Sequence, residues 1–120
     1  MVARINEHTN SVATMSDLED MYAFKAAGAE SSLLANARGT GIDPLKGISP
    51  LPDTSVMRDD LFVSDVVYAP LKSKFLEHAE AAGCRFINGL PMMYYQGGTS
   101  FKLFTGQDMP LDYVRQHMFD

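Results

Sequence analysis

The chain has 120 residues, enough for one domain with a modest hydrophobic core. Its apolar fraction of 46% and charged fraction of 21% are ordinary for a soluble globular domain. The net charge of -5, with ten Lys and Arg scattered along the chain, argues against a nucleic-acid protein.

In chain order, the first few residues read as the end of a helix running into a turn around Thr9-Asn10. Ser11 to Met15 predicts a short strand. Ser16-Asp17-Leu18-Glu19 then reads as a capping box, the Ser16 hydroxyl accepting from a free backbone N–H and Glu19 reaching back. The helix that follows is expected to bury Leu18, Met21 and Tyr22 and to stop near Gly28. Ser32 to Asn36 is the second predicted strand. From Arg38 to about Asp59 the chain is irregular and rich in Gly and Pro; loops beyond ~12–15 residues are usually functional or mobile.

Leu61 to Tyr68 predicts a third strand, ending at Pro70. A helix from about Lys72 to Ala82 places Phe75, Leu76 and Ala79 on one face, with Gly83 as its left-handed stop. Cys84 to Asn88 is the fourth strand. Gly89 opens a long helix over Leu90 to Thr105, and Gly106 ends it. Asp108 is expected to cap a last helix, with Pro110 in its first turn and Leu111, Val114 and Met118 along one side. The order β-α-β-loop-β-α-β-α-α, with no linker, predicts one α/β domain over residues 1–120 with about four mostly parallel strands. Pattern alone names no reaction.

The remaining chemistry-bearing residues are few. His8, His78 and His117 lack metal-ligand spacing, so no metal site is expected. The single cysteine, Cys84, excludes an intrachain disulfide and reads as a small buried apolar residue. No apolar run approaches the ~20 residues that span a bilayer. The polar Met1–Glu7 stretch has no signal-peptide hydrophobic region, so a cytoplasmic location without a membrane partner is expected.

Four segments, in order, carry a resemblance. Leu34-Ala35-Asn36-Ala37-Arg38-Gly39-Thr40-Gly41-Ile42 is followed by Asp65-Val66-Val67-Tyr68-Ala69-Pro70. Then come Asn88-Gly89-Leu90-Pro91-Met92-Met93-Tyr94-Tyr95-Gln96-Gly97-Gly98 and Phe101-Lys102-Leu103-Phe104-Thr105-Gly106. Together they resemble the C-terminal region of the shikimate and quinate/shikimate dehydrogenase family. That resemblance implies a partial Rossmann-like cofactor domain, lacking its first two strands and the glycine-rich turn that cradles the pyrophosphate. The family's catalytic lysine and aspartate belong to an N-terminal half, so no catalytic residue is expected in this chain.

The implied activity is NADP- or NAD-dependent, reversible oxidation of a shikimate or quinate hydroxyl, with the cofactor carrying the hydride. Carried over by position, Tyr68 and Gln96 would bind the substrate. Val66, Val67, Gly89 and Met92 would lie on the cofactor side. Read without the family, Tyr68 is a strand-end aromatic, Gln96 a polar helix residue and Met92 a packing residue. Three positions depart from the family pattern: Ala69 stands for Asn, Arg38 for Thr and Pro91 for Gly. Arg38 could serve a phosphate, but reads first as a solvated loop arginine. A sheet without its first two strands either pairs the Ser11–Met15 segment with Ser32–Asn36 or leaves an edge open. The expected partner is thus a complementing N-terminal half or a second copy.

Overall fold

The computed structural model describes residues 1–10 and 12–117. Among them, three strands form one sheet: β1 (Leu33–Asn36), β2 (Phe62–Asp65) and β3 (Arg85–Ile87). All pairs are parallel and the order is β1-β2-β3, with Leu34 beside Val63 and Val63 beside Phe86. The helices are α1 (Val2–Glu7), α2 (Met21–Glu30), α3 (Lys74–Ala81), α4 (Leu90–Thr105) and α5 (Leu111–His117). This is the expected α/β architecture with one strand fewer.

The missing strand is the predicted first one. Val12 to Met15 form no strand, and Ser11 lies outside the described residues. The Asn6 side chain supplies the reason. Its Nδ2 donates to the Ala13 carbonyl at 2.8 Å, and its Oδ1 accepts from the Ala13 N–H at 2.9 Å. A side chain thus takes the backbone groups that a neighbouring strand would have used.

The start of α2 differs as well. Asp17 Oδ1 accepts from Glu19 N at 3.0 Å, a local turn that takes the chain away from a helix at Ser16. Asp20 caps instead, accepting from Ala23 N at 3.0 Å, so Leu18 falls outside the helix. Helix α2 buries no residue fully, and Tyr22 is exposed. It runs two residues past Gly28, which is not among the left-handed glycines that end a helix and instead packs on Val56, where a Cβ would lie 2.7 Å from Val56 Cγ1. At the other end of the chain, Asp108 pairs with Lys102 Nζ at 2.7 Å instead of capping. Helix α5 opens at Leu111, just after Pro110, and Met118 lies outside the described residues.

Helix α3 follows expectation closely. Ser73 caps it by accepting from Leu76 N, and Gly83, with φ of +76°, leaves it in the left-handed conformation. Its Phe75, Leu76 and Ala79 are buried with Met57, Leu61, Val63 and Cys84, and Leu34 and Phe86 pack against them. The register puts Leu34, Val63 and Phe86 on the sheet face under this cluster.

The opposite face carries Leu33, Phe62 and Arg85 in one row and Ala35, Ser64 and Ile87 in the next. It is largely uncovered: Leu33 is 56% exposed and Ile87 39%. Parallel sheets normally bury both faces, so this sheet is covered on one side only. The radius of gyration is 17.1 Å, against about 13.6 Å for a closed domain of this length. Among the described residues no helix is long and apolar enough to cross a membrane.

Candidate functional site

Strand β2 ends three residues before the predicted Tyr68, and an internal carboxylate explains why. Asp65, the last residue of β2, is 1% exposed and points to the core face beside Asn36 of β1. Its Oδ1 accepts from Asn36 Nδ2 at 2.9 Å and from the backbone N–H of Val67 at 3.0 Å. Its Oδ2 accepts from the Ser73 hydroxyl. The Val66 N–H still donates to the Asn36 carbonyl at 3.1 Å, but the Val67 N–H turns inward to its own strand's carboxylate, so the regular ladder ends at Asp65.

The segment thus turned aside forms one lip of a cleft of about 270 Å³. Val66, Val67, Tyr68 and Ala69 line it on one side, and Ala37, Arg38, Gly39 and Ile42 on the other. The second lip is also fixed by a buried side chain. Asn36 Oδ1 accepts from Arg38 N at 3.1 Å, and Asn36 Nδ2 also faces the Thr40 carbonyl at 3.4 Å. Gly41 follows with φ of +108°, a conformation that favours glycine. The cleft lies beyond the carboxyl ends of β1 and β2, where open α/β sheets bind ligands.

Val66, Val67 and Tyr68 therefore meet in one place, with Val67 buried and Tyr68 39% exposed. Gly89 lies just behind them. Its N–H donates to the Val67 carbonyl at 3.0 Å, and a Cβ on it would meet the Val66 oxygen at 1.9 Å. The absence of a side chain at Gly89 is thus used by the Val66 backbone. Asn88 fastens the same turn: its Nδ2 donates to the Leu71 carbonyl at 2.9 Å and its Oδ1 accepts from Leu90 N at 3.1 Å.

Met92 and Gln96 sit on α4, four residues apart and so on one helix face, both exposed. They are outside the lining of the cleft. Arg38, read from the sequence first as a solvated loop arginine, lines it. Asp65, Asn36 and Ser73 were not singled out in the sequence, although a carboxylate closing an apolar strand on its core-facing side was a usable signal.

Other chemistry is sparse. Burial raises the Cys84 thiol above its ordinary value, and Cys84 Sγ donates to the Arg58 carbonyl, which suits a packing residue rather than a nucleophile. Among the described residues no group of three metal-ligating side chains converges.

Known proteins resemble the chain in sequence and in fold. Residues 89–119 match the family described as Shikimate 5'-dehydrogenase C-terminal domain. The chain is 48% identical over 120 residues to a shikimate dehydrogenase (NADP(+)) of Streptococcus uberis, covering 99% of this chain and 41% of that protein. The fold matches shikimate 5-dehydrogenase of Listeria monocytogenes, solved with shikimate and NAD, at a TM-score of 0.90 and 42% identity. That match covers 98% of this chain and 41% of the other. A quinate dehydrogenase of Corynebacterium glutamicum, solved with NAD, matches at a TM-score of 0.79 and 27% identity, over 96% of this chain and 39% of its own. The chain spans about two-fifths of the length of these relatives. In sequence and fold alike, the chain is similar to the C-terminal part of shikimate dehydrogenases.

Proposed function

We propose that this chain forms the nicotinamide-side wall of an NADP- or NAD-dependent shikimate or quinate dehydrogenase, completed by a catalytic half on further polypeptide. The observation that carries the reading is the convergence of Val66, Val67 and Tyr68 in a cleft beyond the carboxyl ends of β1 and β2. At about 270 Å³ it falls below the ~300–1,000 Å³ of complete small-molecule sites, as one wall of a larger site would.

The bound nicotinamide would take or return the hydride. This chain's own residues bind and orient. The Val66–Val67 backbone, held by Asp65 and Gly89, presents a fixed edge at the cleft. The Tyr68 phenol and the Gln96 amide offer donors and acceptors suited to a polyhydroxy acid, and Met92 adds an apolar flank on the cofactor side. The uncovered sheet face and the exposed Tyr95, Leu103 and Phe104 of α4 provide apolar surface for the completing half. This reading also implies a cytoplasmic protein.

Mixing the chain with a separately produced N-terminal half and following NADP or NAD reduction with shikimate and with quinate tests the reading. Activity at some ratio supports it; none at any ratio overturns it.

A second reading rests on the free edge of β1 and the open sheet face: a non-catalytic remnant that binds small molecules or self-associates. Sedimentation and calorimetric titration decide. A monomer giving no heat with NADP, NAD, shikimate or quinate removes it.

A further inference from the structure

Both lips of the cleft hang on one buried carboxylate. From Asp65, one bond runs directly to the Val67 N–H on the first lip. A second runs to Asn36 Nδ2, and the same Asn36 amide holds the Arg38 N–H of the second lip. The third runs to Ser73, which caps α3 under the sheet. Asp65 is 1% exposed, Asn36 4% and Ser73 2%, so none of the three touches the contents of the cleft. Both oxygens of the carboxylate are engaged, Oδ1 by the Asn36 amide and the Val67 N–H and Oδ2 by the Ser73 hydroxyl.

We propose that Asp65 is a positioning residue: through Asn36 and the Val67 amide it sets the separation and orientation of the two cleft lips. The cleft's nicotinamide is taken from the reading above, but the coupling of the lips through Asp65 stands on geometry independent of it. Asp65 is not a catalytic residue, because it reaches the cleft only through other groups. The rival account is that Asp65 merely secures α3 by holding its cap. The two accounts differ in what Ser73 does, since the cap account requires loss of Ser73 to reproduce loss of Asp65.

Amide hydrogen exchange of the full 120-residue chain separates them. In Asp65→Ala, the Val67 and Arg38 amides should lose protection by about tenfold or more relative to those of Phe62, bonded to Ser32, and Cys84, bonded to Ala79. Asn36→Ala, which leaves the carboxylate in place, should release Arg38 while Val67 keeps most of its protection. Ser73→Ala should release Leu76 and leave Val67 and Arg38 as they are. Asp65→Asn retains an Oδ1 acceptor and should restore part of the Val67 protection lost in Asp65→Ala.

An even loss across all amides in Asn36→Ala, an unchanged Arg38 amide there, or lips released by Ser73→Ala would overturn the proposal. If Asp65→Ala fails to fold, the Asn36 and Ser73 variants decide alone. Titrating each protein with NADP and with NAD is a separate arm. Absence of binding by the unaltered chain counts against the cofactor reading, while the exchange pattern still decides the role of Asp65.

Discussion

The carbonyl oxygen of Val66 stands where a side chain on Gly89 would have to begin: a Cβ there lies 1.9 Å from that oxygen and 2.5 Å from its carbon. The glycine's own N–H simultaneously donates to the Val67 carbonyl. The turn into α4 and the exit from β2 are therefore locked backbone to backbone, and neither can move without the other.

Gly89→Ala should consequently destabilise the chain by about 3 kcal/mol or more, because the obstacle is main chain rather than a flexible side chain. Gly97→Ala is the control. It lies within α4, and its Cβ would meet only Met109 Cε at 3.9 Å. Removing a helical glycine there should stabilise by about 0.5–1 kcal/mol. Denaturant midpoints that shift equally in the two variants would contradict this account.

Helix α2 tests a different kind of attachment. With no fully buried residue, it depends on Arg58, whose Nη1 donates to the Gly28 carbonyl at 2.7 Å and whose Nη2 donates to that of Ser31. The Gly28 carbonyl also accepts from the N–H of Ser31, the residue that follows the helix, so Arg58 grips the C-terminal end of α2. Arg58→Met keeps the aliphatic stem and removes the donors. It should cost about 1–2 kcal/mol, discounted for the partial exposure of the guanidinium. Amide exchange should accelerate over Met21–Glu30 more than at Leu76 or Cys84; equal acceleration would show that Arg58 serves the core instead.

What was legible in the sequence follows from where the deciding interaction lies. Helix α3 and α4 were readable because their signals are local: spaced apolar residues, Gly83 and Gly106 as stops, Pro91 in a first turn. Val12 to Met15 depart from the strand their sequence suggests because their outcome depends on Asn6, seven residues before Ala13, and no periodicity encodes that bond. Ser16 lost its helix to the Asp17 turn and the Asp20 cap, three competing polar residues within five positions. At the site, resemblance led to Val66, Val67 and Tyr68, which do share a cleft. It passed over Asp65, because a residue that acts by holding others has a role visible only across strands, here 29 positions from Asn36.

Asp53 gives a pH signature. Lys25 Nζ lies 2.9 Å from its Oδ2, and Ser55 N donates to Oδ1 at 2.8 Å. The Lys25 hydrogen bond first, then those from Ser55, lower the carboxyl from its ordinary 3.8 to about 2. Because the folded value is the lower one, this contribution to stability is present above the unfolded value. It is lost as pH falls from about 4 toward 2. Carbon-detected titration should place the Asp53 midpoint near the lower figure, and Lys25→Met should move it upward. A midpoint unmoved by that substitution would leave the ion pair without a role.

Tyr68 supplies the last test, and it bears on the proposed activity. The ring sits at the cleft, 39% exposed, on a lip whose backbone is fixed at Val67. Tyr68→Phe removes one hydroxyl and leaves the ring, so the lip and the fold should be untouched. If the phenol binds a substrate hydroxyl, then kcat/KM of the completed enzyme for shikimate should fall by roughly tenfold. NADP or NAD affinity, which the phenol does not serve in this reading, should stay where it was. A fall in cofactor affinity with unchanged kcat/KM would place Tyr68 on the wrong side of the reaction. Gln96→Leu is the companion, since Gln96 lies outside the cleft lining and on the exposed face of α4. Its loss should be felt only once the completing half closes over that helix, giving an effect on kcat/KM in the assembled enzyme and none on the stability of the chain alone.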